Sequence, residues 1–278
     1  MKNFSMKKIF VMFVTFLFIS IFAPTQATVL QGGVDTSARN SFCTVIDKST
    51  KKPVPNAKIT IPSKNFIAYT DINGHFELKT SINNQTILSV SKNNYKPFSM
   101  TINKGANIYP FVVEIETSTP FEISLETEMC HLGDNNFSTA SANSGQFKGK
   151  SVGHTFSKKF FISSNLSDKQ HFLVIGSIIG IDTALARGIG QNSITTSFAS
   201  PPSVYLNGHK IAEIQINGDN QRIRLPKQLI KYNQNNTITI KAGRNLMQTA
   251  YVDYDDIEFI NLSVQSKSSN NNHVGYKY

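Results

Sequence analysis

Three segments decide the fold class of this chain: Pro53-Val54-Pro55-Asn56-Ala57-Lys58-Ile59-Thr60-Ile61, Thr70-Asp71-Ile72-Asn73-Gly74-His75-Phe76-Glu77-Leu78 and Leu88-Ser89-Val90-Ser91-Lys92-Asn93-Asn94-Tyr95-Lys96-Pro97. In each, apolar and polar residues alternate with a period of two. Ala57, Ile59 and Ile61 share a side, as do Phe76 and Leu78, and Leu88 and Val90. Such alternation marks strands with one buried and one wet face. Asp71-Ile72-Asn73-Gly74 carries the Asn and Gly that accept positive φ in a tight reversal.

The pattern extends on both sides. Ser41 to Asp47 reads as the first strand, and Phe66 to Thr70 with His75 to Thr80 as the two arms of a hairpin. Thr86 to Ser91, Phe98 to Ile102, Phe111 to Glu116 and Phe121 to Leu125 follow, giving seven or eight short strands, which suits an antiparallel sandwich. The order Pro-Val-Pro-Asn-Ala, Thr-Asp-x-x-Gly-x-Phe, Val-Ser-x-x-x-Tyr-x-Pro resembles the carboxypeptidase regulatory-like domain, a small transthyretin-like β-sandwich, over Ser41 to Thr127. That resemblance implies a non-catalytic attachment of exported proteins and says little about function. A first domain is expected at 41–130.

From His131 to Gln146 the chain turns to Gly, Ser, Asn and Ala without an apolar period, which reads as an interdomain linker. A second domain is expected at 147–265. Lys159 to Ser163, His171 to Ile175 and Ser193 to Phe198 are strand candidates, and Thr183 to Arg187 fits one helical turn. Asn207-Gly208 between two alternating runs, Val204 to Leu206 and His209 to Ile216, is a strong hairpin signal. The series Val-Tyr-Leu-Asn-Gly-His-Lys-Ile, Ile-Arg-Leu-Pro-Lys-Gln-Leu-Ile, Asn-Asn-Thr-Ile-Thr-Ile-Lys-Ala-Gly and Asp-Tyr-Asp-Asp-Ile-Glu-Phe resembles a galactose-binding-like jelly roll over Ser203 to Leu262. That fold serves many carbohydrate-binding modules. Ser266 to Tyr278 is a Ser/Asn tail expected to be disordered. The fold class is all-β: two antiparallel sandwiches, regulatory-like and then jelly roll, after a signal peptide.

Residues 1–27 read as an address. Lys2, Lys7 and Lys8 precede an apolar run from Ile9 to Phe22, and Pro24-Thr25-Gln26-Ala27 offers small residues for cleavage. The run is short for a membrane span, which needs about 20 residues. The expected location is secreted, extracellular or periplasmic, with no stable membrane insertion after cleavage. Loss of those three lysines lowers the formal charge from +10 to +7. The charges are scattered, so no nucleic-acid partner is expected. Heavy Asn use and Lys in excess of Arg suggest AT-rich, bacterial coding. The two cysteines, Cys43 and Cys130, flank the first domain, and in an oxidising compartment an even pair reads as one disulfide.

No catalytic constellation stands out. The six histidines form no metal-binding helix motif, and neither a G-x-S-x-G elbow nor a phosphate loop is present. The chain is therefore expected not to be an enzyme. Asp253, Asp255, Asp256 and Glu258 lie within six residues and repel one another unless compensated. The jelly-roll resemblance raises a structural calcium for them, although alternation splits them between two faces; otherwise no cofactor is implied. Tyrosines offer flat faces for sugar rings and Asn or Asp hydrogen-bonds their hydroxyls. Tyr205, Asn207, Asp219, Asn220, Tyr251, Asp253 and Tyr254 are the candidate carbohydrate residues, expected to converge on one end or one sheet. The expected partner is a glycan or cell-surface polymer. The alternative is a structural or adhesion role, or that of an accessory subunit, through protein contacts.

Overall fold

A computed structural model of the chain describes residues 42–103, 110–138, 141–142, 147, 149–191 and 198–268. The signal-peptide assignment, most of the Ser193–Phe198 strand and the tail beyond 268 lie outside them. Seven strands come first: β1 (Cys43–Asp47), β2 (Lys58–Ile61), β3 (Phe66–Tyr69), β4 (His75–Phe76), β5 (Thr86–Ser91), β6 (Phe98–Ile102) and β7 (Val112–Ile115). They form two sheets, β4-β1-β7 and β3-β2-β5-β6, around Val45, Ile59, Ile61, Phe76, Leu88, Val90 and Val113. Ile59, Ile61, Phe76, Leu88 and Val90 among them are residues whose alternation marked the strands. The remaining elements are β8 (Glu122–Glu126), β9 (Cys130–Leu132), β10 (Thr155–Ile162), β11 (Gln170–Ile179), α1 (Ala184–Gly188), β12 (Ser203–Leu206), β13 (His209–Glu213), β14 (Gly218–Leu225), β15 (Gln234–Lys241) and β16 (Ile257–Lys267). They build a second sandwich of β10-β15-β12-β13 over β14-β11-β16-β8, with β9 also on β16.

The all-β expectation holds, and several details differ. β1 pairs with β7 in parallel, so the first sandwich is not wholly antiparallel. β3 pairs with β2 while β4 pairs with β1, so the expected hairpin is a crossing between sheets. The turn itself is as read: Gly74 has φ 73°, and a Cβ there would stand 2.5 Å from the Val45 carbonyl oxygen. β8 and β9 pair with β16, so Glu122–Glu126 and Cys130–Leu132 belong to the second sandwich's sheet rather than to the first. Their apolar faces, Ile123, Leu125 and Leu132, find the second core instead of the first. Of the expected 131–146 linker, residues 139–140 and 143–146 lie outside the described residues. β16 continues to Lys267, and Ser266 Oγ lies 2.9 Å from His171 Nδ1, so the ordered chain passes Gln265.

Cys43 and Cys130 are both free and buried. Each belongs to the apolar core of a different sandwich, which is why the expected disulfide does not form. Burial pushes the Cys130 thiol up to about 12, leaving it neutral and unreactive.

The two sandwiches are docked within one compact unit. Across three neighbouring strands one row is irregular: Gly176, Asn220 (φ 50°) and Asn261 (φ 59°). Before it, Leu173, Ile175, Leu262 and Val264 face the main core; after it, Ile178, Phe259 and Ile257 do. The register is unbroken through this row, but the left-handed Asn220 and Asn261 reverse the alternation, and Ser177, Asp219, Ile179 and Ile260 turn to the first sandwich. Ile87, Ile179 and Ile260 form a small core there, each contributing about 1.5–3 kcal/mol on burial. Asp219 accepts from Thr101 N–H at 3.0 Å and Thr101 Oγ–H at 2.7 Å. A Cβ on Gly176 would lie 2.6 Å from Ser99 Oγ, so only glycine allows this approach.

Candidate functional site

The acidic stretch that leads into β16 is the centre of one end of the second sandwich. Asp253, Asp255, Asp256 and Glu258 are all almost fully buried, as is Asp182 after β11. Buried charges require partners, and the fold supplies them from distant segments. Asp253 accepts from Asn136 Nδ2 (2.9 Å), Ser141 Oγ (2.9 Å), Ala142 N (3.0 Å) and Asn245 Nδ2 (2.9 Å). Asp255 Oδ2 accepts from Asp182 N at 3.1 Å, and Asp182 pairs with Arg187 Nε at 3.2 Å. Asp256 Oδ1 takes His131 Nε2 at 2.7 Å and Asn135 N at 3.0 Å. His131 Nδ1 lies 2.5 Å from the Gly149 carbonyl. Both ring nitrogens thus face acceptors, which the doubly protonated imidazolium satisfies.

The electrostatics follow from burial. Desolvation pushes Asp255 well up, with Asp182, Asp256 and Asp253 adding repulsion. It raises Glu258 to about 7 against the opposing pull of His131. Burial alone would lower His131, but the bonds to Asp256 and Gly149 outweigh it and hold the ring above its ordinary value.

Both Asp253 oxygens, Asp255 Oδ2 and Asp256 Oδ1 are directed at N–H, amide, hydroxyl and imidazole donors, whereas Asp255 Oδ1, Asp256 Oδ2 and Glu258 Oε2 are buried without a hydrogen-bond partner. Among the described residues, no group of three or more His, Cys, Asp or Glu side chains is placed to hold a metal ion. This arrangement does not fit the calcium expected on Asp253, Asp255, Asp256 and Glu258, since calcium takes six to eight oxygens around one point.

Above this polar base the surface is apolar and aromatic. Bridges Thr183–Ala199, Ala199–Asn245 and Arg244–Tyr254 stitch three loops together. Gly243 permits this: a Cβ there would be 1.8 Å from the Ser200 carbonyl oxygen. Asn245 Oδ1 accepts from Met247 N at 2.9 Å, a local turn bond that shapes the loop. Leu246, Met247, Tyr251 and Val252 are exposed on it, with Leu185 in α1 and Ile189 at its C-terminal cap. Tyr254 N–H donates to Asp134 Oδ2 at 2.9 Å, and its ring stacks on His154 at 4.4 Å and 9°.

The candidate carbohydrate residues are dispersed. Tyr251, Asp253 and Tyr254 lie at this end. Asn207 lies at the opposite end of the β12–β15 pair, where it bonds Leu229 O, Asn236 Oδ1 and Thr237 N. Tyr205, one strand position inward, stands under Lys241 Nζ at 4.8 Å. Asp219 serves the junction between the sandwiches, and Asn220 belongs to the irregular row with Gly176 and Asn261. The expected convergence of all seven therefore does not occur. His131, Asp134, Asn136, Ser141, His154 and Asn245 join the site without having been singled out. Gly133-Asp134-Asn135-Asn136 carried a turn signal that was read as linker; His154 carried none.

No curated protein matches the chain. Residues 43–120, the whole of the first sandwich, match the family model described as the CarboxypepD_reg-like domain, a non-catalytic module.

Proposed function

We propose that the chain is an exported, non-catalytic binding protein whose second sandwich, a jelly roll, recognises carbohydrate at the loop end around Tyr254. One observation carries this reading. The exposed His154 and half-buried Tyr254 form a stacked flat face beside Asp134 and Arg244, on loops held by multiple buried bonds. Rigid scaffolds carrying variable loops suit recognition. A single shallow stacking site gives millimolar to micromolar affinity, about 4–8 kcal/mol. Export and a soluble mature chain rest on residues 1–27 and would place the partner, a glycan or surface polymer, outside the cell. A glycan array on the secreted protein tests the reading: wild type binds a defined glycan and Tyr254→Ala loses it without a change in melting temperature. A variant that unfolds would make Tyr254 a packing residue, and an array blank at millimolar glycan would remove the carbohydrate reading.

A second reading has its own support. Leu185, Ile189, Leu246, Met247, Tyr251 and Val252 are each at least half exposed on adjoining loops, a concentration that marks contact surfaces. An adhesion or accessory role through protein contacts would use that rim. Pull-down from the producing cell's envelope with wild type and Met247→Glu separates it from sugar binding.

A further inference from the structure

The seam between the two sandwiches holds a cavity of about 210 Å³. Lys96 of the first sandwich lines one side; Thr119 and Phe121 before β8, Glu122 on β8, and Gln265 and Lys267 on β16 line the rest. The turn ahead of β8 is fixed by two backbone bonds: Glu122 N–H donates to the Thr119 carbonyl at 3.2 Å, and Ser266 N–H to the Phe121 carbonyl at 2.8 Å. Glu122 and Gln265 stand opposite one another in the β8–β16 ladder, so their side chains share a face. Ligand sites concentrate at domain interfaces of this kind. Nine residues of β16, roughly 30 Å, separate Lys267 here from Glu258 at the loop end.

Glu122 Oε2 is buried there without a hydrogen-bond partner. Lys96 Nζ lies 3.8 Å from it, within ion-pair reach but too far for a hydrogen bond, and donates instead to Glu116 Oε2 at 3.0 Å. A buried acceptor without a donor is costly. The space between these two groups suits an atom that donates to the carboxylate and accepts from the ammonium. A hydroxyl does both. A ligand ammonium would be repelled by Lys96, and a ligand carboxylate by Glu122. Water meets the same requirement, and the remaining lining selects something larger. Phe121 adds exposed apolar surface, with Lys169 Nζ 4.9 Å from its ring centre. Lys96 and Lys267 outnumber Glu122, and the same row of the sheet leads from Gln265 through Phe172 to Arg224. A concave site with that excess of cations favours an anion.

We propose that this cavity binds one hydroxylated ring carrying a negative charge, a hexuronic acid or a sugar phosphate. One ring hydroxyl bridges Glu122 and Lys96, Phe121 and Gln265 contact the ring, and the anionic group meets Lys267. The cavity is smaller than the roughly 300–1,000 Å³ of drug-sized pockets, so it holds a single ring rather than a chain. A ligand of that size in so shallow a site binds with Kd on the order of 1 mM. The site is separate from the face around Tyr254 and stands whether or not that face binds sugar.

Titration of the full chain with galacturonate, galactose 6-phosphate and galactose, followed through backbone amide NMR shifts, tests this, with melting curves on every variant. At least one of the two anions shifts the Phe121, Glu122, Gln265 and Lys267 amides saturably and binds roughly tenfold tighter than galactose; the tighter of the two identifies the anionic group. Lys267→Ala abolishes that preference, and Glu122→Ala weakens binding of the preferred anion roughly tenfold. Tyr254→Ala leaves these shifts unchanged, whatever it does at the loop end. If Glu122→Ala fails to fold, the exposed Lys267 decides. The absence of saturable shifts up to about 20 mM ligand, galactose binding as tightly as the anions, or folded variants that keep wild-type binding overturns the proposal.

Discussion

Asp47 and Asp253 both cap loops with a carboxylate, and they reach over very different distances along the chain. Asp47 Oδ1 accepts from Ser49 N (2.9 Å), Ser49 Oγ (2.6 Å), Thr50 N (2.7 Å) and Thr50 Oγ1 (3.0 Å). Asp253 collects its donors from Asn136, Ser141, Ala142 and Asn245, up to 117 positions away. The first cap needs only its own turn. The second exists only when the whole sandwich has closed, so it joins loops that would otherwise part. The protonation behaviour divides the same way. Bonds from Ser49 and Thr50 hold Asp47 well below the usual carboxylate range, and Lys48 and Lys96 hold Glu116 at about 2. Burial pushes Asp255 and Glu258 upward.

The largest test of that contrast is Asp253→Ala. It strands the buried Ala142 N–H and the Asn136 and Asn245 amides, and should cost about 3–4 kcal/mol in urea unfolding. Asp253→Asn should recover part of the loss by keeping an acceptor. A cost under 1 kcal/mol would mean that the loops are held by packing rather than by the carboxylate.

Glu258→Gln sharpens the comparison with the opposite sign. The folded pKa, about 7, lies above the ordinary 4.5, so the fold favours the neutral form. Its stabilising contribution is complete below 4.5 and is lost as pH rises through about 7. Glutamine is neutral throughout, so the variant should gain on the order of 1–2 kcal/mol at pH 8 and match wild type at pH 4. Equal stability at pH 8 would show that His131 already compensates Glu258.

The same distinction explains what could be read from the chain. The Asn207-Gly208 hairpin was legible because its cause is local: both residues take positive φ, 51° and 86°. The acidic run announced that four carboxylates needed compensation; Asp253 and Asp256 find donors, while burial holds Asp255 and Glu258 toward the neutral form. Their partners were invisible because His131 and Asp256 are 125 positions apart and only the β9–β16 pairing brings them together. β8 was assigned to the wrong sandwich for the same reason: alternation shows that a strand has one apolar face, never which core receives it. Asp219 looked like a turn residue; its contact with Thr101 spans 118 positions.

Asp219→Ala should sit between the extremes. It removes three bonds to Thr101 across the junction, but the site is exposed, so roughly 1 kcal/mol is expected. Hydrogen exchange should rise at Thr101 while the β15 amides stay protected. Uniform loss of protection would mean that the two sandwiches unfold as one cooperative unit.

The smallest effect belongs to Asp47→Asn, and it completes the contrast. Asparagine keeps an acceptor for the Ser49 and Thr50 donors, so only the charge-assisted part of each bond is lost. A group whose folded pKa is depressed stabilises above its unfolded value, here 3.8, and loses that contribution as pH falls below it. The variant should therefore be slightly less stable at pH 8, and the gap should narrow below pH 3.8 and close only as pH falls through the depressed folded value. Glu258→Gln also removes one carboxylate charge and also converges with wild type in acid, yet at pH 8 it should be the more stable protein. Parallel melting scans of the two variants against pH check this directly. If both shift in the same direction at pH 8, net charge governs the pH dependence, and the difference between a locally bonded acid and a buried one carries no weight.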